Sequence, residues 1–73
     1  MKKRAVHPLK AYRALHGLSA RELAAKLDVS QITVNAWERG FRRIEAERAI
    51  AIEKAIGVDR EILRPDLFVR ASA

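Results

Sequence analysis

The sequence predicts an all-α fold, and three observations support that class. Apolar residues recur every three or four positions, which is the spacing of amphipathic helices. Helix-capping residues and glycines divide the chain into five such stretches. No stretch shows the strict alternation of apolar and polar residues that marks a half-buried strand. With 73 residues, the chain has room for one small domain.

The first predicted helix covers residues 8–16. Pro8 suits its first turn, because the N–H that proline lacks would have no acceptor at that position. Leu9, Tyr12 and Leu15 follow at helical spacing, and a glycine ends the helix.

Two capped helices joined by a tight turn come next. Ser19 and Glu22 form a Ser-x-x-Glu capping box at the start of the second helix, which covers residues 20–27. Ser30 is the predicted N-cap of the third helix, which covers residues 31–39 and ends at a glycine. This unit presents a short helix at the protein surface, where such a helix can enter the major groove of DNA.

Each of these two helices has a recognisable inner face. Leu23 and Leu27 mark the buried face of the second helix, and Val34 and Trp37 mark that of the third. We therefore assign Trp37 to the core rather than to stacking on a single strand of nucleic acid. Asp28 lies in the turn, where a left-handed backbone conformation is expected.

The fourth predicted helix covers residues 45–56, and a short fifth helix is capped by Asp59 and broken by Pro65. The apolar stripe of the fourth helix consists of Ala49, Ile52 and Ile56. Glu53 lies beside that stripe, so we expect it to be paired or hydrogen-bonded, although the sequence does not identify the partner.

The net charge of +6 is concentrated at the N-terminal end of the chain. Residues 1–21 hold six basic side chains and no acidic one, whereas the later residues balance nine against nine. A localised basic surface favours a polyanionic partner through phosphate contacts and counterion release. A solubilising tail is the alternative. We divide the chain into a basic flexible arm (1–7), a domain (8–64) and a C-terminal tail (65–73).

The composition argues against several classes of function. Cysteine is absent, which excludes disulfides and thiolate metal ligands and fits a reducing cytoplasm. His7 and His16 lack partners at metal-ligand spacing, so no metal or cofactor is expected. The two best-placed serines are helix caps and the chain is small for a substrate pocket, so we do not expect an enzyme. No apolar run is long enough for a membrane span.

Three segments together carry a family resemblance. They are Leu18-Ser-x-x-Glu-Leu-Ala-x-Lys-Leu27, Val29-Ser-Gln31 and Val34-x-x-Trp37-Glu38-Arg39-Gly40. With their spacing, residues 8–63 resemble the Cro/C1-type (XRE) helix-turn-helix family of phage and plasmid repressors. The C-terminal residues 43–57 and 63–68 resemble its YdaS-type branch of Cro-like proteins, often described as antitoxins or prophage regulators. Glu45 stands where that branch usually has proline.

The resemblance implies a five-helix lambda-repressor-like domain whose second and third helices read DNA. It also implies binding to operator sequences, usually as a homodimer on inverted repeats. An arginine in helix 1 of this family commonly pairs with a glutamate near the end of helix 3. Arg13 and Glu38 occupy those positions here, and the pair would fix helix 3 against helix 1.

Side chains on the outer face of the third helix are the candidates for base contacts. Gln31 and Asn35 lie one turn apart, and both amides can bond adenine N6 and N7 in a bidentate way. Ile32 either contacts a thymine methyl group or packs against the end of helix 2. The predicted phosphate contacts surround that helix. These contacts are Arg21, Ser30, Thr33, Arg42, Arg43, Lys2, Lys3 and Arg4. Ser30 is also explained as a helix cap.

Two questions stay open at the level of sequence. The apolar residues Leu67, Phe68 and Val69, with Ile50, are candidate dimer contacts, but Leu67 and Phe68 can equally fold back onto the core of their own protomer. The protein is either a sequence-specific DNA-binding regulator or an interaction module with the same fold, such as an antitoxin that contacts a toxin. The polar outer face of the third helix favours DNA.

Overall fold

The computed structural model describes residues 6–68, and these form five α-helices and no β-strand. The helices are α1 (Pro8–His16), α2 (Ala20–Leu27), α3 (Gln31–Arg39), α4 (Ala46–Ile56) and α5 (Arg60–Leu63). The all-α prediction is therefore confirmed. None of the helices in this range is long and apolar enough to cross a membrane.

The core lies where α2 packs against α3 and α4, and α4 packs against α5. Its largest fully buried side chains are those of Trp37, Leu9, Leu23, Ile52 and Val34. The assignment of Trp37 to the core is correct, since only 1% of the residue is exposed. An indole buried to this extent has no free face for stacking on a nucleic acid base.

Local capping chemistry accounts for the boundaries of α2 and α3. The Ser19 hydroxyl accepts the Glu22 N–H at 3.0 Å, and the Glu22 carboxylate accepts the Ser19 N–H at 2.7 Å. These reciprocal bonds hold the pKa of Glu22 below its usual value, because they favour the ionised carboxylate. In the turn, Asp28 adopts the expected left-handed conformation at φ 58°. The Ser30 hydroxyl accepts the Thr33 N–H at 3.1 Å and so caps α3.

The structure corrects three details of the sequence analysis. The helix α4 begins at Ala46 rather than at Glu45, which takes the N-cap position without a side-chain capping bond. Asp59 takes the N-cap position of α5 as predicted, but its side chain makes no capping bond either. Leu15 follows the helical spacing of α1 yet is 81% exposed. Two steps of three residues carry its side chain about 120° around the helix from Leu9.

His7 belongs to the folded domain rather than to the arm. Its Nδ1 atom accepts the Leu9 N–H at 3.1 Å, which makes His7 the N-cap of α1. Burial of the ring lowers the pKa of His7, and the nearby Glu38 carboxylate partly opposes that shift. Lys2, Lys3 and Arg4 lie outside the described residues, as does Val69.

The segment after α5 folds back toward the core. Phe68 is half-buried and packs against the core, and the Arg60 guanidinium lies 5.5 Å from the centre of its ring. The same arginine donates to Glu53 at 2.6 Å, which identifies the partner that the sequence did not reveal. Phe68 thus takes the intramolecular alternative, whereas Leu67 remains 49% exposed.

Candidate DNA interface

The two faces of α3 differ in exposure and in chemistry. Its inner residues Val34 and Trp37 are buried in the core that α3 shares with α2. On the other side, Gln31 is exposed at the first helical position, and Asn35 is partly exposed one turn later. Residues four apart lie on the same face of a helix. The two amides are therefore available together to a ligand that approaches the outer face of α3.

Ile32 lies next to Gln31 and is 79% exposed. Packing of this side chain against the end of α2, which was one of its two interpretations, is therefore wrong. A large apolar side chain with this exposure leaves apolar surface in water. A methyl group on a bound partner would cover that surface.

The hydroxyl groups at the start of α3 already have partners within the chain. Ser30 Oγ accepts the Thr33 N–H and lies 2.9 Å from Thr33 Oγ1, so the two hydroxyls also share a hydrogen bond. Each oxygen can still accept or donate one further bond. The capping role of Ser30 is thus present, and a phosphate contact would come in addition to it.

The orientation of α3 relative to α1 is set by a bidentate ion pair. Arg13 donates from Nε to Glu38 Oε2 at 2.9 Å and from a terminal nitrogen to Oε1 at 2.8 Å. A third bond of 3.3 Å joins the guanidinium to the Leu18 carbonyl. The hydrogen bonds to Glu38 raise the pKa of Arg13. Only 8% of the glutamate side chain is exposed, so the pair anchors α3 from its buried side.

Cationic side chains are exposed on the elements that precede and follow α3 in the chain. Arg21 is exposed in the first turn of α2, and Arg42 and Arg43 are exposed in the loop 41–45 that follows α3. One nitrogen of Arg43 lies 3.5 Å from Asp66, and 80% of the arginine side chain is exposed. Arg21 and Arg42 thus present exposed guanidinium groups at the surface, and Arg43 stays largely exposed beside Asp66.

Another arginine, whose role was not predicted from the sequence, organises this loop. Arg64 is 15% exposed, and it donates to the Ile44 carbonyl at 2.7 Å and to both Asp66 oxygens at 2.8 and 2.6 Å. It therefore ties the end of loop 41–45 to the segment after α5. A Pro-Asp pair directly after an arginine is the only sequence signal for this turn. Phe41, 75% exposed at the start of the loop, was also not singled out.

A metal-dependent site has no support within residues 6–68. No group of three or more histidine, aspartate or glutamate side chains comes together there in a way that could hold a metal ion. His7 is occupied as a helix cap, and the His16 ring instead lies against Tyr12, with 4.2 Å between the ring centres.

Comparison with known proteins agrees with this arrangement. The sequence matches the helix-turn-helix family over residues 9–63. It is 43% identical over 61 residues to the uncharacterized HTH-type transcriptional regulator MJ0272 of Methanocaldococcus jannaschii, across 84% of this chain and 86% of that protein. No solved structure matches. The described helices, the two caps and the match over most of the chain lead to one conclusion: this protein belongs to the Cro/C1-type helix-turn-helix family.

Proposed function

We propose that this protein is a sequence-specific transcriptional regulator that binds operator DNA by inserting α3 into the major groove. The observation that carries the proposal is the polar outer face of a short helix whose inner face is buried. Gln31 and Asn35 would bond base edges from that face, and Ile32 would contact a thymine methyl group. The similarity to an HTH-type transcriptional regulator supports this assignment.

The position of Arg21 supports a bound anion at the start of α2. The N-terminus of a helix carries partial positive charge, so a cation in the first turn is unfavourable there by itself. A phosphate that lies between the helix N-terminus and the Arg21 guanidinium would neutralise both positive charges. We place Arg21, Arg42 and Arg43 on the DNA backbone, with Ser30 and Thr33 as neutral contacts. The cations at positions 2, 3 and 4 would follow the duplex as an arm.

A dimer on an inverted repeat is part of the same proposal. Ile62 on α5 is 54% exposed and Leu67 in the segment after α5 is 49% exposed, which leaves apolar surface in this C-terminal part of the domain. Burial of this surface against a second copy would remove it from water. Ile50 is half-buried at the edge of the α4 stripe and is a further candidate for a dimer contact.

The experiment is a selection of bound fragments from sheared genomic DNA with the purified protein at ~150 mM salt, where nonspecific binding is weak. A Gln31→Ala/Asn35→Ala variant is carried in parallel, with Lys26→Ala/Lys54→Ala as a control for altered surface residues. We expect a discrete inverted-repeat motif that the control retains and the first variant loses. Equal enrichment by all three proteins, or no motif, would contradict the proposal and favour a role as an antitoxin or other interaction module.

A further inference from the structure

A cleft of about 310 Å³ lies between loop 41–45 and the segment after α5. Trp37, Ile44 and Leu63 form its floor, and no more than 8% of each of these residues is exposed. Its volume is at the lower end of the range for small-molecule sites in proteins. The cleft is therefore large enough for a small anion, and the accessible side chains around its rim are polar or charged.

The charged groups that line the cleft have an excess of positive charge. Three of them are the guanidinium groups of Arg42, Arg43 and Arg64, and the carboxylate is that of Asp66. The hydrogen bonds from Arg64 lower the pKa of Asp66 to about 2, so this carboxylate is ionised at neutral pH. Both its oxygens already accept from Arg64. Arg42 and the outer nitrogens of Arg43 are left to face an incoming anion.

Two neutral hydrogen-bond donors add to this preference for an anion. His7 lines the cleft, and its Nδ1 atom accepts the Leu9 N–H, so the proton of the neutral ring is on Nε2. The indole N–H of Trp37 is buried and has no hydrogen-bond partner in the described part of the chain. A buried donor without an acceptor is destabilising. The side chains that line the cleft thus offer more donors than free acceptors, which favours a ligand that carries acceptor oxygens.

We propose that this cleft binds a small oxyanion, a carboxylate or a phosphate, which lies among the guanidinium groups above the buried floor formed by Trp37 and Leu63. Paired N–H donors of arginine match the geometry of a carboxylate or a phosphate. A ligand held in this way would occupy Arg42 and Arg43. The ligand would therefore compete with DNA phosphates for these two side chains, and this last step rests on the proposed function.

The binding itself can be tested on the free protein, because Trp37 is the single tryptophan of the chain. Its indole N–H gives one separate signal in a ¹H–¹⁵N correlation spectrum. We expect phenyl phosphate to shift that signal saturably at millimolar concentration. Sodium chloride at equal ionic strength, and benzyl alcohol at equal concentration, should leave the signal in place. A shift of the same size with chloride would overturn the proposal, and so would one with benzyl alcohol.

A pair of charge-matched variants shows whether the loop arginines hold the anion. Arg42→Gln/Arg43→Gln should weaken phenyl phosphate binding about tenfold, since charge-assisted hydrogen bonds are lost. Arg39→Gln/Arg48→Gln removes the same charge at exposed positions outside the cleft and should have a much smaller effect. All four side chains are exposed, so both variants should fold, which thermal melting checks. Equal affinity of the two variants would contradict the site.

The competition with DNA is measured separately on a bound fragment from the selection. Phenyl phosphate at saturation should lower the DNA affinity of the wild-type protein more than an equal concentration of chloride does. An unchanged DNA affinity at saturation would refute the competition. If the protein selects no DNA motif, the proposed function fails, while the indole titration still decides whether the cleft binds an oxyanion.

Discussion

At the scale of single residues, the Arg13–Glu38 pair determines how α3 is held. Both groups are largely removed from solvent, and the carboxylate accepts two hydrogen bonds from the guanidinium. Desolvation offsets much of the attraction in such a pair, so its net stabilisation is small. Loss of one partner is different, because the remaining charge stays partly buried without a counterion.

We therefore expect Glu38→Gln to lower the free energy of unfolding by about 3 kcal/mol. The double variant Arg13→Met/Glu38→Leu should lose clearly less, since it removes both charges and restores apolar packing. Urea denaturation followed by circular dichroism measures both values. A double variant that is less stable than Glu38→Gln would show that the pair itself is strongly stabilising.

At the scale of the elements, α1 depends on an unusual cap. Histidine Nδ1 can accept the Leu9 N–H only while that nitrogen carries no proton. Burial of the ring lowers the pKa of His7 from its ordinary value of 6.5. The unfolded chain therefore takes up the proton at a higher pH than the folded protein does. The free energy of unfolding should therefore keep its full value above pH 6.5 and should fall as the pH drops below 6.5.

The variant His7→Asn isolates this cap, because asparagine also caps a helix but does not titrate. We expect its stability to change less than that of the wild-type protein between about pH 7.5 and about pH 5. Both proteins contain Glu38, which lies near His7, and His16 at the end of α1. Any effect of these two residues is therefore common to both profiles. Parallel pH profiles in urea denaturation would show that protonation of His7 does not weaken the cap.

The helices themselves were predictable because their limits depend on local chemistry. The capping box at Ser19, the cap at Ser30 and the left-handed turn at Asp28 involve residues within a few positions of each other. The exposure of side chains was harder to predict. Leu15 has helical spacing, yet it is exposed because no other element covers its side of α1. The anchoring of Ile44 by Arg64 joins residues twenty positions apart, and no periodicity in the sequence reports such a contact.

The candidate interface was partly predictable for the same reason. The outer face of α3 follows from helical geometry once Val34 and Trp37 are assigned to the core, so Gln31 and Asn35 could be chosen from sequence. The pairing of Arg43 with Asp66 could not, because it depends on how the segment after α5 returns to loop 41–45. The role of His7 as a cap was missed because histidine is not a usual N-cap residue.

At the scale of the whole molecule, the proposed dimer accounts for apolar surface at the C-terminal end. Leu67→Glu places a charge on that surface, and we expect it to convert the protein from dimer to monomer. Sedimentation velocity at micromolar concentration measures the change. Leu15→Glu is the matched control, since Leu15 is also exposed but lies on α1. A wild-type monomer, or equal effects of the two substitutions, would contradict the assignment of this face.

For the molecule as a whole, we propose that α3 contacts the bases while the surrounding cations contact the DNA backbone. Binding of Gln31→Ala and Arg42→Ala to a selected fragment and to random DNA, over a range of salt concentrations, tests it most directly. We expect Gln31→Ala to lose ~1–3 kcal/mol on the selected fragment and little on random DNA. Arg42→Ala should weaken both to a similar extent and reduce the salt slope by about 1. Indistinguishable behaviour of the two variants on the two DNAs would contradict the account.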